Sequence, residues 1–118
     1  MRYSRSKGIP LGIVSDGMDY PIKRILNRHG LRHVPVVANR MVYREGAYRL
    51  EFPYGREGCP SGVCKCGVAE AVSADSKTLL IGDGLSDCCL ARSASFTLAR
   101  QGKTLHRRCA AEGDPYFT

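Results

Sequence analysis

The apolar run Thr78-Leu79-Leu80-Ile81 stops at Gly82 and is followed by Asp83-Gly84-Leu85-Ser86-Asp87, two acids four residues apart. A half-exposed strand alternates apolar and polar side chains, whereas an unbroken apolar run of strand length belongs to a strand buried on both faces. Such strands sit in parallel sheets covered by helices, and ligands of these sheets gather at the carboxyl ends of the strands. Asp83 and Asp87 stand at such an end. Held this close, two carboxylates repel unless a cation or a proton lies between them. Mg²⁺, which takes one or two carboxylates and keeps several waters, suits the pair. The plain alternative is that both acids cap the helix expected from Leu85.

The rest of the chain repeats this strand-then-helix rhythm. Residues 8–14 are apolar, β-branched towards their end, and break at Ser15-Asp16-Gly17, which predicts a strand followed by a turn. A short helix is expected over 21–29. Pro21 lies in its first turn, where a missing N–H costs nothing, Ile22, Ile25 and Leu26 share one face, and Gly30 stops it. Residues 34–38 read as a second strand. Alternating side chains over 40–44 and 47–52 flank Glu45-Gly46 and predict a β-hairpin inserted outside the main sheet. The Gly- and Pro-rich stretch 53–62 reads as a loop, and 63–72 as a helix ending near Ser73-Ala74-Asp75, with Lys65 in or just ahead of its first turn. A helix over 85–93, a strand over 95–99 and a closing helix over 103–111 complete an α/β chain read as one domain, residues 1–118.

Eighteen Lys and Arg against eleven Asp and Glu leave a formal charge of +7, which attracts phosphate-bearing partners. Charge alone does not choose among nucleic acid, anionic membrane and a small phosphorylated substrate. No basic block alternates with aromatic residues, which favours a solvated surface over nucleic-acid binding. Residues 1–7 are polar and basic, unlike a signal peptide, and no run approaches membrane-spanning length, so a cytoplasmic protein without a membrane partner is expected. Thiols stay reduced in that compartment, and six cysteines then point to packing, catalysis or metal rather than covalent staples. Cys59, Cys64 and Cys66 form a C-x₄-C-x-C cluster that is not a standard zinc spacing. A fourth ligand would have to come from His29, His33, Cys88 or Cys89, so packing around Lys65 is favoured. Cys88, Cys89 and Cys109 are expected to fill the core as small apolar groups.

Taken in order, Val14-Ser15-Asp16-Gly17-Met18-Asp19-Tyr20, Ala38-Asn39-Arg40, Glu51-Phe52-Pro53, Cys64-Lys65-Cys66 and the 83–87 turn resemble the haloacid dehalogenase superfamily of phosphatases. The nearer likeness is to its phosphoserine phosphatase-like group, and within that to the phosphatases of methionine salvage. An ordered set of this kind is far more specific than the Gly-Asp-Gly-x-x-Asp turn alone. The resemblance implies a Rossmann-like parallel sheet with flanking helices, Mg²⁺ as cofactor and a small phosphorylated substrate. It also implies that the Ser15 hydroxyl and the Asp16 and Gly17 amides hold a phosphate oxygen, with Lys65 as a point charge. Asp83 would bind Mg²⁺ directly, with Asp87 close behind or on a bound water. The side chains at 15, 65, 83 and 87 are then expected to share one pocket. The plain alternatives are an ordinary turn and helix cap for Ser15-Asp16-Gly17, and a solvated surface lysine for Lys65.

Enzymes of this group open with a strand bearing Asp-x-Asp-x-Thr, whose first Asp attacks phosphorus, and place a cap domain before the serine motif. These 118 residues contain no Asp-x-Asp segment. No catalytic residue is therefore assigned, and the expected fold is a truncated version that lacks the first strand and the cap. The missing strand would run between the strand ending at Ser15 and that ending at Asp83. An open slot there leaves unsatisfied backbone groups at roughly 1–3 kcal/mol each, against a total stability of about 5–15 kcal/mol. A poorly stable chain, self-association through exposed strand edges, or direct pairing of the two strands is expected. Two functions stay open: a Mg²⁺-dependent phosphomonoester hydrolase represented without its nucleophile, or a non-catalytic phosphate-binding or interaction module, a decayed fragment included.

Overall fold

The computed structural model describes residues 1–73 and 75–118; Ala74, near the expected end of the helix over 63–72, lies outside the described residues. The chain forms two compact units, Met1–Val63 and Cys64–Thr118. The first contains a three-stranded sheet and the second a two-stranded one.

The first unit comprises α1 (Arg2–Ser6), β1 (Ile13–Met18), α2 (Asp19–Arg28), β2 (Val36–Arg44) and β3 (Ala47–Glu51). The sequence reading did not foresee α1, a single turn whose Ser4 and Ser6 hydroxyls donate back to the Met1 and Tyr3 carbonyls at 2.9 Å. β1 starts later than expected, because Gly8 takes a left-handed φ of 64° and Pro10 offers no N–H to a ladder. It also ends later, running through Ser15-Asp16-Gly17 to Met18 where a turn was expected. The β1–α2–β2 crossover makes the first two strands parallel, as predicted.

The hairpin needs a larger correction. It is not an insert: β2 is one strand, parallel to β1 over its first half and antiparallel to β3 over its second. The break between the apolar 34–38 run and the alternating 40–44 run records a change of environment along a continuous strand. Glu45 and Gly46 both have positive φ, 52° and 77°, the geometry of a two-residue type I′ turn. Tyr43 and Tyr48, directly opposed, stack edge to face with centroids 5.1 Å apart.

The second unit comprises α3 (Lys65–Ser73), β4 (Leu79–Gly82), a 3₁₀ turn (Leu85–Asp87), α4 (Cys88–Ala91), β5 (Phe96–Ala99) and α5 (Thr104–Glu112), close to the expected order and bounds. β4 and β5 are parallel and in register from Leu79↔Phe96 to Gly82↔Ala99. Leu80 and Ala99 point to a core completed by Cys88, Leu90, Ala91, Leu105 and Cys109, with Cys66 and Ala69 of α3 packed against it. All three helices thus serve one face. Leu79, Ile81 and Phe96 on the other face are 59%, 64% and 49% exposed, so the strand expected to be buried on both faces is buried on one. The segment after α5 bridges onto β5, with Ala99 N–H donating to the Phe117 carbonyl and Phe117 N–H to the Thr97 carbonyl, both 2.8 Å. Among the described residues β1 pairs with β2 alone and β4 with β5 alone, and each keeps an open edge.

Cys88 and Cys109 are buried as expected. Cys89 is not a core residue: it is exposed and disulfide-bonded to Cys66, with Cα atoms 6.4 Å apart, which corrects the expectation of six free thiols. Apolar packing of α3 on α4 brings the two cysteines within bridging reach, and sequence spacing carries no such information.

Candidate functional site

Ser15, Asp16 and Gly17 occupy an irregular part of β1. Val14 pairs with Val37 and Met18 with Asn39, so four residue steps on β1 match two on β2. Such a bulge bends the strand and re-aims its side chains. The Gly17 N–H donates to Ser15 Oγ at 3.0 Å, a local bond within the strand, while the helix cap of the plain alternative is not made, since α2 starts after Met18 with no side-chain cap. The Ser15 hydroxyl keeps its own proton to donate elsewhere. A Cβ on Gly17 would stand 3.2 Å from that oxygen, a tight approach that glycine avoids.

Asp16 turns towards its own unit. Its carboxylate accepts the Val63 N–H at 3.0 Å, and its carbonyl accepts from Asn39 Nδ2 at 2.8 Å. Asp19, first residue of α2, accepts the Met41 N–H at 3.0 Å and ties that helix to β2. Asn39 is buried, and its Oδ1 has no partner among the described residues. Asn39 lies within the Ala38-Asn39-Arg40 motif, which by itself assigns it no role. The available signal was a polar residue directly after the apolar 34–38 run. Gly62 fits beside it, since a Cβ there would lie 2.8 Å from Asn39 Oδ1.

In the second unit Lys65 is the first residue of α3, as expected. Its Nζ pairs with Asp87 Oδ1, and the two side chains are only 9% and 7% exposed. Lys65 is therefore not a solvated surface lysine. The other oxygen, Asp87 Oδ2, accepts the Asp83 N–H at 3.1 Å and the Gly84 N–H at 2.9 Å. The carboxylate lies across Gly82, where a Cβ would approach Oδ2 to 2.6 Å. The apolar run stops at glycine because the acid four residues beyond its first aspartate neighbour folds back over it. Asp83 differs from Asp87 on every count. It is exposed, its side chain has no hydrogen bond or ion pair among the described residues, and its carbonyl accepts the Leu105 N–H at 3.0 Å. It borders an open cleft of about 510 Å³ at the carboxyl ends of β4 and β5, lined also by Leu98, Arg100 and Thr118.

The two acids answer the metal question unequally. Among the described residues there is no group of three or more His, Cys, Asp or Glu able to hold an ion. Mg²⁺ does not need one, since it takes one or two carboxylates and fills the rest of its shell with water and phosphate oxygens. Asp83 fits a direct ligand, and Asp87, with donors on both oxygens, fits a supporting place behind it. The Cys66–Cys89 bond removes Cys66 from the C-x₄-C-x-C set considered for zinc. Two groups of α5 have shifted titration. The hydrogen bond from Arg92 at 2.6 Å holds the Glu112 carboxyl below its ordinary range, and burial pushes the Cys109 thiol up.

No family model matches the chain. Curated proteins do. It is 29% identical over an alignment of 119 positions, which covers 92% of its own length and 50% of the relative's, to the 2-hydroxy-3-keto-5-methylthiopentenyl-1-phosphate phosphatase of Lysinibacillus sphaericus. It is 30% identical over 103 residues to the protein of that name from Geobacillus thermodenitrificans, covering 83% of this chain and 46% of the relative. The Brevibacillus brevis protein of that name gives 29% over 102 residues, with the same coverages. The chain spans about half the length of the curated relatives it matches. The likeness to phosphatases of methionine salvage read from the ordered motifs is thus borne out.

Proposed function

We propose that this chain carries the phosphate-holding and Mg²⁺-holding parts of a phosphomonoester hydrolase of the haloacid dehalogenase type, acting in the cytoplasm on a small phosphorylated metabolite. The observation that carries the reading is the contrast at the end of β4: a buried, fully partnered Asp87–Lys65 pair beside an exposed Asp83 carboxylate that has no partner among the described residues. Its side chain makes no capping hydrogen bond among the described residues, which removes the plain alternative of a helix cap for Asp83. Asp83 would ligate Mg²⁺, and Asp87 would fix the turn that presents it. When bound, the ion would neutralise charge building on the phosphoryl oxygens.

Ser15 donates its hydroxyl to a phosphate oxygen, and the Asp16 and Gly17 amides border the same oxygen once Gly17 leaves Ser15 Oγ. Asp16 and Asn39 hold the backbone from which Ser15 projects. Lys65 places an ammonium against Asp87 and contributes positive potential to the phosphoryl group. We assign all of these residues to one phosphoryl group because their order along the chain is that of the phosphatases they resemble. These 118 residues supply no Asp-x-Asp nucleophile. Turnover therefore draws on a strand outside them, and the open edges of β1 and β4 suit such a strand or a second copy of the chain. No helix among the described residues is long and apolar enough to cross a membrane.

The missing nucleophile also favours a second reading, a non-catalytic phosphate-binding or interaction module. Calorimetric titration of inorganic phosphate with and without Mg²⁺, together with release of p-nitrophenolate from p-nitrophenyl phosphate, separates the two. The chain alone should bind phosphate at least about tenfold more tightly with Mg²⁺, a gain of about 1.4 kcal/mol. Asp83→Asn should abolish that gain, Ser15→Ala should weaken phosphate binding, and turnover should be absent. Phosphate binding indifferent to Mg²⁺ in the unsubstituted chain would exclude the hydrolase reading.

A further inference from the structure

We propose that the Cys66–Cys89 bond is a reversible clamp that sets, according to thiol redox state, whether Lys65 stays buried against Asp87. The two links join the same elements. Lys65 and Cys66 are the first two residues of α3, while Asp87 closes the 3₁₀ turn and Cys89 follows as the second residue of α4. One is ionic and the other covalent, between adjacent residues on α3 and between Asp87 and Cys89, which flank Cys88, on the other side.

The physical reason for a clamp lies in the weakness of the ionic link as a fastener. Desolvating an ammonium and a carboxylate roughly cancels their attraction, so a buried pair adds little net stability over the separated, hydrated ions. Among the described residues, α3 brings Cys66 and Ala69 to the apolar core of this unit, both only partly buried. A covalent tie closing a loop of 23 residues in sequence separation restricts the open states far more than either contact. With the bond intact Lys65 has nowhere to go. With it reduced, α3 can swing out and both ions can hydrate.

Access favours Cys89, which is exposed, over Cys66, which is half-buried. A dithiol reductant attacks Cys89 Sγ as its thiolate, forming a mixed disulfide and releasing Cys66 as a thiolate that takes up a proton. The second thiol of the reductant then attacks its own partner sulfur, which frees the Cys89 thiol and leaves the reductant as a cyclic disulfide. Two electrons pass to the protein, and a disulfide oxidant reverses the step. Bridges of this kind in a reducing compartment are mostly transient and redox-sensing, which agrees with the cytoplasmic placement proposed above.

Lysine acetylation by N-acetoxysuccinimide, mapped by peptide mass spectrometry in oxidising and in dithiol buffer, tests the clamp without requiring phosphatase activity. In the oxidised protein Lys65 should react at least about tenfold more slowly than in the reduced protein. The exposed Lys23 and Lys77 should not change between the two buffers. Cys89→Ser and Cys66→Ser should each show fast Lys65 acetylation in both buffers, and Cys59→Ser should behave like the unsubstituted chain. Equal Lys65 reactivity in the two redox states, with the bridge verified by a two-dalton mass difference, would overturn the proposal. The inference concerns the Lys65 assigned above to phosphate. Redox-dependent protection without Mg²⁺-linked phosphate binding would leave the clamp standing and remove the phosphatase reading.

Discussion

The ends of β1 and β4 solve the same local problem in opposite ways. At β1 the polar side chains of Asp16 and Asn39 hold backbone groups of their own unit, and much of the segment faces solvent. At β4 the carboxylate of Asp87 is buried, receives two amides and faces a buried ammonium, while the Asp83 carboxylate has no partner among the described residues. The first arrangement can lose a bond and let water replace it. The second cannot, because a single ion left behind in a low-dielectric setting has no substitute partner.

Breaking the β4 arrangement should therefore give the largest effect. Asp87→Asn, which strands the Lys65 ammonium, should destabilise the second unit by about 3–5 kcal/mol in urea unfolding. Replacing both partners together with Lys65→Met and Asp87→Asn, which removes the stranded charge and keeps an amide oxygen for the Asp83 and Gly84 N–H groups, should recover most of that loss. A double substitution as unstable as the single one would erase the distinction between the two strand ends. At β1 the expected cost is smaller: Asn39→Ala removes the donor to the Asp16 carbonyl and should cost about 1–3 kcal/mol. A larger loss than that of Asp87→Asn would reverse the ranking.

The smallest effects are in the pH profile of the second unit. The folded pKa of Glu112 is lowered, first by its hydrogen bond from Arg92, so its contribution is present above the ordinary carboxylate range and disappears as pH falls through the folded value. Glu112→Gln should flatten the acid limb of a thermal-stability profile slightly, as befits an exposed pair. Cys109 is raised by burial, so its contribution is present below the ordinary thiol range and is lost as pH rises. An acid limb unchanged by Glu112→Gln would show that the ion pairs of Arg92 do not distinguish this unit.

Much of the topology was legible because it rests on local chemistry. The strand and helix order after Lys65, the Pro21 helix and the Glu45-Gly46 turn all follow from periodicity and from residues with narrow backbone preferences. The errors lie where tertiary partners decided. An apolar run predicted β4 to be covered on both faces, yet the three helices of its unit share one side. The hairpin looked separate because polarity changes at Asn39, although the hydrogen-bond ladder runs through it. The resemblance already set Asp83 ahead of Asp87 as a metal ligand, and the fold adds that Asp87 is paired with Lys65 whereas the Asp83 carboxylate has no partner among the described residues.

From its residues alone this chain was determined to alternate strands and helices, to stop β4 at a glycine, and to carry the ordered motifs that tie it to its curated relatives. Those properties depend on neighbours a few positions apart. What only the tertiary structure decided was pairing: Lys65 with Asp87, Cys66 with Cys89, and Asp16 with Asn39 and Val63. Each joins groups more than twenty positions apart, and a hydrogen bond or disulfide forms only where packing brings its atoms within a few ångströms, a distance that no spacing along the chain encodes.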